Sequence, residues 1–167
     1  VNNLLMVVNK NKSFDKRFVE KMVKNYKPSF IYKPRNYFLE NLKNKDLYRG
    51  DKYEVLRTNF KLKNDYNKKN FLLLTTSGST SNPKLVRLSE YNILDNVKKI
   101  IKYLNINSKN TTITTMPMAY SYGLSVINTF IYSGAKIVLN EKTIFEKDFW
   151  EKVKNLKVNS ISGVPEF

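Results

Sequence analysis

The chain contains neither cysteine nor histidine among its 167 residues. Without cysteine it has no disulfide framework, no thiolate metal site and no thiol nucleophile. Without histidine it has no Ser-His or Cys-His catalytic pair, no imidazole zinc site and no histidine general base. Any chemistry in this sequence must therefore depend on the other polar and charged side chains and on the backbone.

Acidic residues are scarce as well. The chain has 14 Asp and Glu residues against 30 Lys and Arg residues, and its formal net charge is +16. Such a charge favours non-specific contact with nucleic acid. However, the excess is lysine scattered along every segment, whereas arginine, the better residue for phosphate recognition, occurs only at positions 17, 35, 49, 57 and 87. We therefore expect no specific nucleic-acid partner and attribute the charge to a compositional bias.

Long apolar runs are also missing. No run approaches the roughly 20 residues that a membrane-spanning helix needs, and the first residues show no signal-peptide pattern. The sequence accordingly predicts a chain without a membrane span and with a cytoplasmic location.

The spacing of apolar residues predicts an α/β chain in which strands and helices alternate. Residues 1–70 form an N-terminal β-α-β portion that ends in a polar connector at 61–70, and residues 71–167 form a second portion of the same structural unit. Ser89 is placed to cap a helix, and Gly134 to end one. Predicted strands cover 4–8, 28–32, 53–60, 72–74, 85–88, 111–116, 137–139 and 158–162, and predicted helices cover 13–26, 90–104, 145–156 and a segment that begins near 121.

The most informative segment follows the apolar strand Leu72–Leu74 and is rich in serine and threonine. Hydroxyls and backbone amides around Gly78 can donate to an anion, and Lys84 can supply a positive charge. A Walker A loop is excluded, because Pro83 stands where that loop needs its second glycine and Leu85 where it needs a hydroxyl for magnesium. A different phosphate loop and an ordinary polar turn remain as interpretations.

The run Thr76-Ser77-Gly78-Ser79-Thr80-x-x-Pro83-Lys84 resembles the signature loop of the adenylate-forming enzymes. This AMP-dependent synthetase/ligase superfamily includes acyl-CoA synthetases, aryl-CoA ligases, adenylation domains of nonribosomal peptide synthetases and luciferases. Ser81 and Leu85 replace glycines of the usual family form, which reduces the backbone freedom of the loop.

Two later segments resemble family markers and occur in the family order. Pro117, Gly123 and Leu124 match the pattern Pro-x-x-His-x-x-Gly-Leu, with Tyr120 in the histidine position. The run Gly163-Val164-Pro165 matches a third marker. Three markers in the correct order and spacing favour membership of the superfamily over a chance likeness.

The resemblance implies a layered, Rossmann-like sheet with flanking helices, as an incomplete part of the acyl-CoA synthetase-like N-terminal domain. It also implies an ATP-dependent ligase that turns a small carboxylate into an acyl-adenylate. The acyl group then passes to the thiol of coenzyme A or of phosphopantetheine on a carrier protein. ATP and Mg²⁺ are the implied cofactors.

The resemblance assigns roles to individual residues. Lys84 would act in catalysis by adding charge as pyrophosphate develops, although a solvated loop lysine is the alternative. Tyr120 and Gly123 would contact the acyl substrate. Without the resemblance, Tyr120 and Tyr122 are better explained as packing aromatics. No metal ligand is assigned in this chain. The residues that would bind the ATP phosphates are Thr76, Ser77, Gly78, Ser79, Thr80 and Lys84.

The length of 167 residues is short for this family, whose members have a large N-terminal domain and a smaller C-terminal lid. We therefore expect the chain to be a piece of a longer adenylating enzyme and to be inactive alone. The alternative is a non-catalytic remnant or binding module of the same fold with a vestigial loop.

Overall fold

The computed structural model describes residues 5–7, 16–37, 44–60, 71–75 and 85–164. It confirms a mixed α/β architecture of sheets with flanking helices. The strands are β1 (Leu5–Val7), β2 (Phe30–Pro34), β3 (Asn44–Arg49), β4 (Tyr53–Thr58), β5 (Leu72–Thr75), β6 (Leu85–Leu88), β7 (Thr111–Ile113), β8 (Lys136–Val138) and β9 (Ser160–Ile161). The helices are α1 (Lys16–Tyr26), α2 (Glu90–Leu104), α3 (Ser121–Tyr132) and α4 (Lys147–Asn155).

The chain divides into two compact units. Unit 1 comprises Val1–Asn9 and Asn67–Phe167, and unit 2 comprises Lys10–Tyr66. Strand β1 therefore belongs to unit 1 although unit 2 follows it in sequence. The portions 1–70 and 71–167 that the sequence suggests stay a prediction. No helix in the described part of the chain is long and apolar enough to cross a membrane.

One sheet of unit 1 has the order β1-β5-β6, in which β1 is parallel and β6 antiparallel to the central β5. The apolar run Leu72–Leu74 is buried along its whole length, as a strand covered on both faces requires. Thr75 pairs with Leu85, so both ends of the segment 76–84 are held on neighbouring strands. The predicted strands at 72–74 and 85–88 are thus confirmed.

The second sheet of unit 1 is parallel, with β7 between β8 and β9. All three residues of β7 are buried, which suits a central strand. The amide of Thr111 donates to Asn159 Oδ1 at 2.9 Å and so fixes the start of β9. Ile113 and Phe149 are completely buried and form the centre of the core of this unit.

Helix α2 begins and ends where local signals indicate. Ser89 Oγ accepts from the amide of Asn92 at 3.1 Å, and Asn92 Oδ1 accepts from the amide of Ser89 at 3.0 Å, which is a complete capping box. At the other end Asn105 has φ +53° and turns the chain out of the helix. This turn buries Ile106, whereas Leu104, which the apolar spacing places on the core face, is 57% exposed.

Helix α4 is shorter than the predicted helix 145–156. A turn closes before it, where Glu146 Oε1 accepts from the amide of Thr143 at 2.8 Å, and the helix starts only at Lys147. Phe145 therefore lies outside the helix and is exposed. The spacing of the apolar residues puts Phe149 and Trp150 on one helix face, but only Phe149 is buried. Trp150 is half exposed, and its indole N–H donates to the carbonyl of residue 144 at 2.7 Å.

Unit 2 contains an antiparallel sheet of order β2-β4-β3. The predicted strand 28–32 starts and ends two residues later, as β2, and 53–60 ends two residues earlier, as β4. Strand β3 was not predicted, because its sequence NKDLYR lacks regular alternation and its pairing to β4 is irregular between Asp46 and Tyr48. The β-α-β order is present, but β1 and β2 belong to different sheets.

An ion pair lies on the buried face of this sheet. Lys33 and Glu54 are directly opposite across β2 and β4, and each side chain is about nine-tenths buried. The Lys33 ammonium donates a hydrogen bond to Glu54 and thereby holds the pKa of that carboxyl below its usual value. Burial acts in the opposite direction, and Arg49, with Nε 3.5 Å from the second oxygen, adds to the lowering.

This lowered pKa predicts a pH dependence of unit 2. The stability that the pair contributes is present above the usual Glu pKa of about 4.3 and is lost as the pH falls through the lowered folded-state value. We expect the protection of β4 amides against hydrogen exchange, corrected for intrinsic rates, to fall more steeply with decreasing pH in the wild type than in Glu54→Gln. The matched control is Asp51→Asn, which makes the same change on an exposed turn. Equal slopes for the wild type and Glu54→Gln would contradict the prediction.

Candidate functional site

An open cleft of about 460 Å³ lies between α2 and α3 in unit 1. This volume falls within the range of about 300–1,000 Å³ that is typical of small-molecule sites. Leu74 precedes the segment 76–84 by two residues, and Leu88 follows it. The flanks of the predicted phosphate loop and the second marker thus line the same cleft. The lining residues are Leu74, Leu88, Asn92, Ile93, Asn96, Val97, Ser121, Tyr122, Leu124, Ser125 and Asn128.

The carboxyl ends of the parallel strands β7, β8 and β9 are a second place where a ligand can be expected. In open α/β sheets, ligands bind beyond these ends. Thr114 Oγ1 accepts from the amide of Asn140 at 2.9 Å and donates to its carbonyl at 3.2 Å. Thr115 Oγ1 donates to the carbonyl of Ser162. The two threonines after β7 therefore hold the segments after β8 and β9 in place.

A hydrogen bond from Tyr122 connects the second sequence marker to the third. The Tyr122 hydroxyl donates to the carbonyl of Gly163 at 3.2 Å, across 41 positions in sequence. Tyr122 belongs to the second marker and Gly163 to the third, whose last residue, Pro165, lies outside the described residues. The first turn of α3 and the segment after β9 are thus connected at the edge of the cleft.

Gly123 allows α3 to approach the preceding turn. A Cβ atom at this position would lie 2.4 Å from the carbonyl oxygen of Pro117 and 2.8 Å from that of Met116. Both are backbone atoms, so neither can move aside as a flexible side chain would. The same turn is closed by the amide of Tyr120, which donates to the Pro117 carbonyl at 3.1 Å. Only glycine fits this contact without a shift of the backbone.

The structure describes Tyr120 and Gly123 of the predicted site, but not the residues of the phosphate loop. Tyr120 is half-buried, directly precedes α3 and is not among the residues that line the cleft, whereas its neighbours Ser121 and Tyr122 are. Gly123 is buried against backbone, which supports a packing role. The substrate-binding roles of both residues stay predictions. The phosphate-loop residues Thr76, Ser77, Gly78, Ser79, Thr80 and Lys84 lie outside the described residues.

Sequence reasoning missed a set of polar residues on the two facing helices. The signal was present: small polar residues recur every three or four positions at 92 and 96 on α2 and at 121, 125 and 128 on α3. Asn92 is held by the cap of α2, and Ser125 Oγ donates to the carbonyl of Tyr122 at 2.7 Å. The carboxamides of Asn96 and Asn128 have no hydrogen bond to the parts of the chain that the structure describes.

The described lining of the cleft carries no charged side chain. Ion pairs with raised lysine pKa values lie elsewhere in unit 1: hydrogen bonds to Asp95 and Glu146 raise the pKa of Lys99 and Lys142, respectively. The described ranges also hold no cluster of three or more Asp and Glu residues that could bind a metal ion.

Comparison with known proteins identifies the family of this chain. The family model of the AMP-binding enzymes matches residues 5–167. An oxalate–CoA ligase of Arabidopsis thaliana is 29% identical over 96 residues, which are 56% of this chain and 19% of that protein. An acyl-CoA ligase (sidI) of Aspergillus fumigatus is 28% identical over 91 residues, which are 54% of this chain and 15% of that protein. The matches thus span less than a fifth of these relatives.

Solved structures share the fold over most of the chain. O-succinylbenzoate coenzyme A synthetase from Bacillus subtilis in complex with AMP has a TM-score of 0.73 and 16% identity, over 98% of this chain and 43% of that one. The same enzyme with its acyl-adenylate intermediate has a TM-score of 0.72 over 96% of this chain and 42% of that one. Together with the family model, which matches almost the whole chain, these findings show that the chain belongs to the AMP-binding, adenylate-forming enzyme family.

Proposed function

We propose that the chain supplies the phosphate loop and the acyl cleft of an ATP-dependent acid–thiol ligase. The observation that carries this proposal is the shared cleft: Leu74 and Leu88, which flank the segment 76–84, line it together with Tyr122 of the second marker. A loop that binds the phosphates of ATP would then adjoin the space for the carboxylate. Such proximity is what the transfer of an adenylyl group requires.

The proposed reaction has two steps. A carboxylate oxygen attacks the α-phosphorus of ATP, the bond to the leaving pyrophosphate breaks, and an acyl-adenylate forms. A thiolate then attacks the acyl carbon, which forms a thioester and releases AMP. We propose coenzyme A as the acceptor, which is supported by its presence in the names of the Arabidopsis and Bacillus relatives. A phosphopantetheine thiol on a carrier protein is the alternative.

The phosphate-binding roles fall on the segment between β5 and β6. Hydroxyls and backbone amides of Thr76, Ser77, Gly78, Ser79 and Thr80 would donate to the β- and γ-phosphates. Lys84 would offset the charge that develops on pyrophosphate. Mg²⁺ would arrive as the complex with ATP, and we assign it no ligand in this chain. The acyl group would lie in the cleft, near Tyr120 and Gly123.

ATP titration tests the loop directly. We expect the Thr80→Ala, Lys84→Ala double variant to bind ATP and Mg²⁺ at least about tenfold more weakly than the wild type, because hydrogen bonds to a charged group contribute about 1.5–3 kcal/mol each. Isothermal titration calorimetry measures this affinity. The control is Thr143→Ala with Lys154→Ala, which removes the same groups at and near α4. Equal ATP affinity in the first variant and the wild type would remove the phosphate role from this loop.

The second candidate is a binding module of the same fold without catalysis, which the replacement of two family glycines by Ser81 and Leu85 favours. We expect the purified 167-residue chain to release no pyrophosphate from ATP with any carboxylate, since relatives of this fold are more than twice as long. A protein that contains this chain and the remaining length of its relatives separates the two candidates. Pyrophosphate exchange in that protein supports the ligase, and its absence over a panel of carboxylates supports the module.

A further inference from the structure

The α2–α3 cleft differs in character from the rest of the chain. Charged residues make up 26% of the sequence, yet none of the residues described in the lining is charged. Leucine, isoleucine and valine side chains form its apolar wall. Its polar groups are the hydroxyls and carboxamides of residues on the facing helices. A charged group of a ligand would find no partner of opposite charge among the described lining residues, whereas a neutral group needs none.

Of the six polar side chains described in the lining, three form hydrogen bonds within the described part of the chain, whereas the Ser121 hydroxyl and two carboxamides do not. Asn92 is fixed in the cap of α2, and the Tyr122 hydroxyl donates to Gly163. Ser125 donates to a carbonyl of its own helix. The carboxamides of Asn96 and Asn128 have no hydrogen bond within the described ranges. Each can donate two hydrogen bonds and accept two, so together they can recognise a neutral polar group from opposite sides of the cleft.

From these contacts we infer that the acid taken by this site is a monocarboxylate whose tail is uncharged and carries a hydroxyl or a similar neutral group. This inference rests on the proposed function, in which the reacting carboxylate meets ATP and the tail occupies the cleft. The apolar wall buries the methylene groups of the tail, and Asn96 with Asn128 binds its polar end. A second carboxylate on the tail would meet carboxamides but no cation among the described lining residues.

Three acids of equal chain length test this selectivity: octanoate, ω-hydroxyoctanoate and octanedioate. Binding is read from the side-chain amide signals of Asn96 and Asn128 in ¹⁵N NMR spectra of the 167-residue chain at near-physiological salt. A site-resolved signal is needed because a chain of net charge +16 attracts any dianion non-specifically. We expect ω-hydroxyoctanoate to bind at least as well as octanoate, and octanedioate at least about tenfold more weakly than either.

Two substitutions at one position sharpen the test. Asn128→Phe narrows the cleft and removes one of the two carboxamides, and it should weaken binding of all three acids at the Asn96 signal. Asn128→Lys places a cation in the cleft and should reverse the preference, so that octanedioate binds more tightly than octanoate. The controls are Asn155→Phe and Asn155→Lys, which make the same changes in the last turn of α4, away from the cleft. Both controls should leave the order of the affinities for the three acids as it is in the wild type.

The outcomes separate this inference from the proposed function. If ATP binds through the loop but octanedioate binds the wild-type cleft as tightly as octanoate, the inferred substrate class is overturned and the ligase proposal stands. If no acid perturbs Asn96 or Asn128, the acyl role of the cleft is overturned. If the acids bind in the expected order but ATP affinity is insensitive to Thr80 and Lys84, the loop assignment fails alone. The inference would also be overturned if octanedioate bound more tightly than octanoate in Asn155→Lys as well as in Asn128→Lys. The added charge would then act non-specifically.

Discussion

Replacement of Phe149 by alanine is expected to lower the free energy of unfolding of unit 1 by about 3–5 kcal/mol. The side chain has no exposed surface, and its ring meets that of Trp150 edge to face, with 5.2 Å between centroids. Truncation removes the apolar surface buried at the centre of the core and leaves a cavity that the neighbours fill only in part. A domain of ordinary stability, about 5–15 kcal/mol, would lose a large share of it.

The measurement is urea denaturation followed by the fluorescence of Trp150, the single tryptophan of the chain and a residue of unit 1. Phe145→Ala is the matched control, because it makes the same chemical change at a side chain that is 85% exposed. The control should change the free energy of unfolding by less than about 0.5 kcal/mol. Equal losses in the two variants would show that Phe149 is not part of the core.

The second large effect is expected at Gly123. A methyl group there would lie 2.4 Å from the Pro117 carbonyl oxygen, far inside van der Waals contact, so the first turn of α3 or the turn before it must move. We expect Gly123→Ala to destabilise unit 1 by about 3 kcal/mol, at the upper end of the usual cost of overpacking. The displacement should also break the Tyr122–Gly163 hydrogen bond.

Gly134→Ala is the control for this prediction. Gly134 has φ +68°, which alanine adopts only with strain, but the space around it is open, with Ser108 Cβ as the nearest atom at 3.8 Å. The expected loss is about 1–2 kcal/mol from the left-handed backbone alone. Urea denaturation measures both variants, and the ¹⁵N spectrum shows whether Gly163 shifts in Gly123→Ala only. A smaller loss of unfolding free energy in Gly123→Ala than in Gly134→Ala would contradict the close approach of α3 to the preceding turn.

Local signals explain which elements the sequence predicts well. The cap at Ser89, the apolar run Leu72–Leu74 and the glycine after α3 each act within a few residues, and the structure has an element boundary at each. Strand β3 depends instead on its neighbour, because Asn44–Arg49 has no alternating pattern and becomes a strand only by pairing with β4. The buried position of Lys33 likewise depends on Glu54, a residue on another strand.

The candidate site also has features that the local sequence predicts and features that only the packed structure shows. Its markers are visible in sequence because each is a short run with a fixed order of residue types. The cleft is not, since it forms only when α2 and α3 pack with their polar positions facing each other. The spacing of Asn92 and Asn96 resembles any solvated helix face until a second helix with Ser121, Ser125 and Asn128 is seen opposite. The hydrogen bond from Tyr122 to Gly163 requires knowledge of where β9 ends.

The pairing of Thr75 with Leu85 has a consequence for the evolution of the loop. Nine residues connect two positions that the sheet already holds side by side. Closing such a connection costs entropy that rises only slowly with its length, by about 0.6 kcal/mol for each doubling. Substitutions and insertions between these anchors are therefore expected to cost the scaffold little stability. In this family member Ser81 stands within the connection where the usual family form has glycine, whereas Leu85 is already the first residue of β6 and pairs with Thr75.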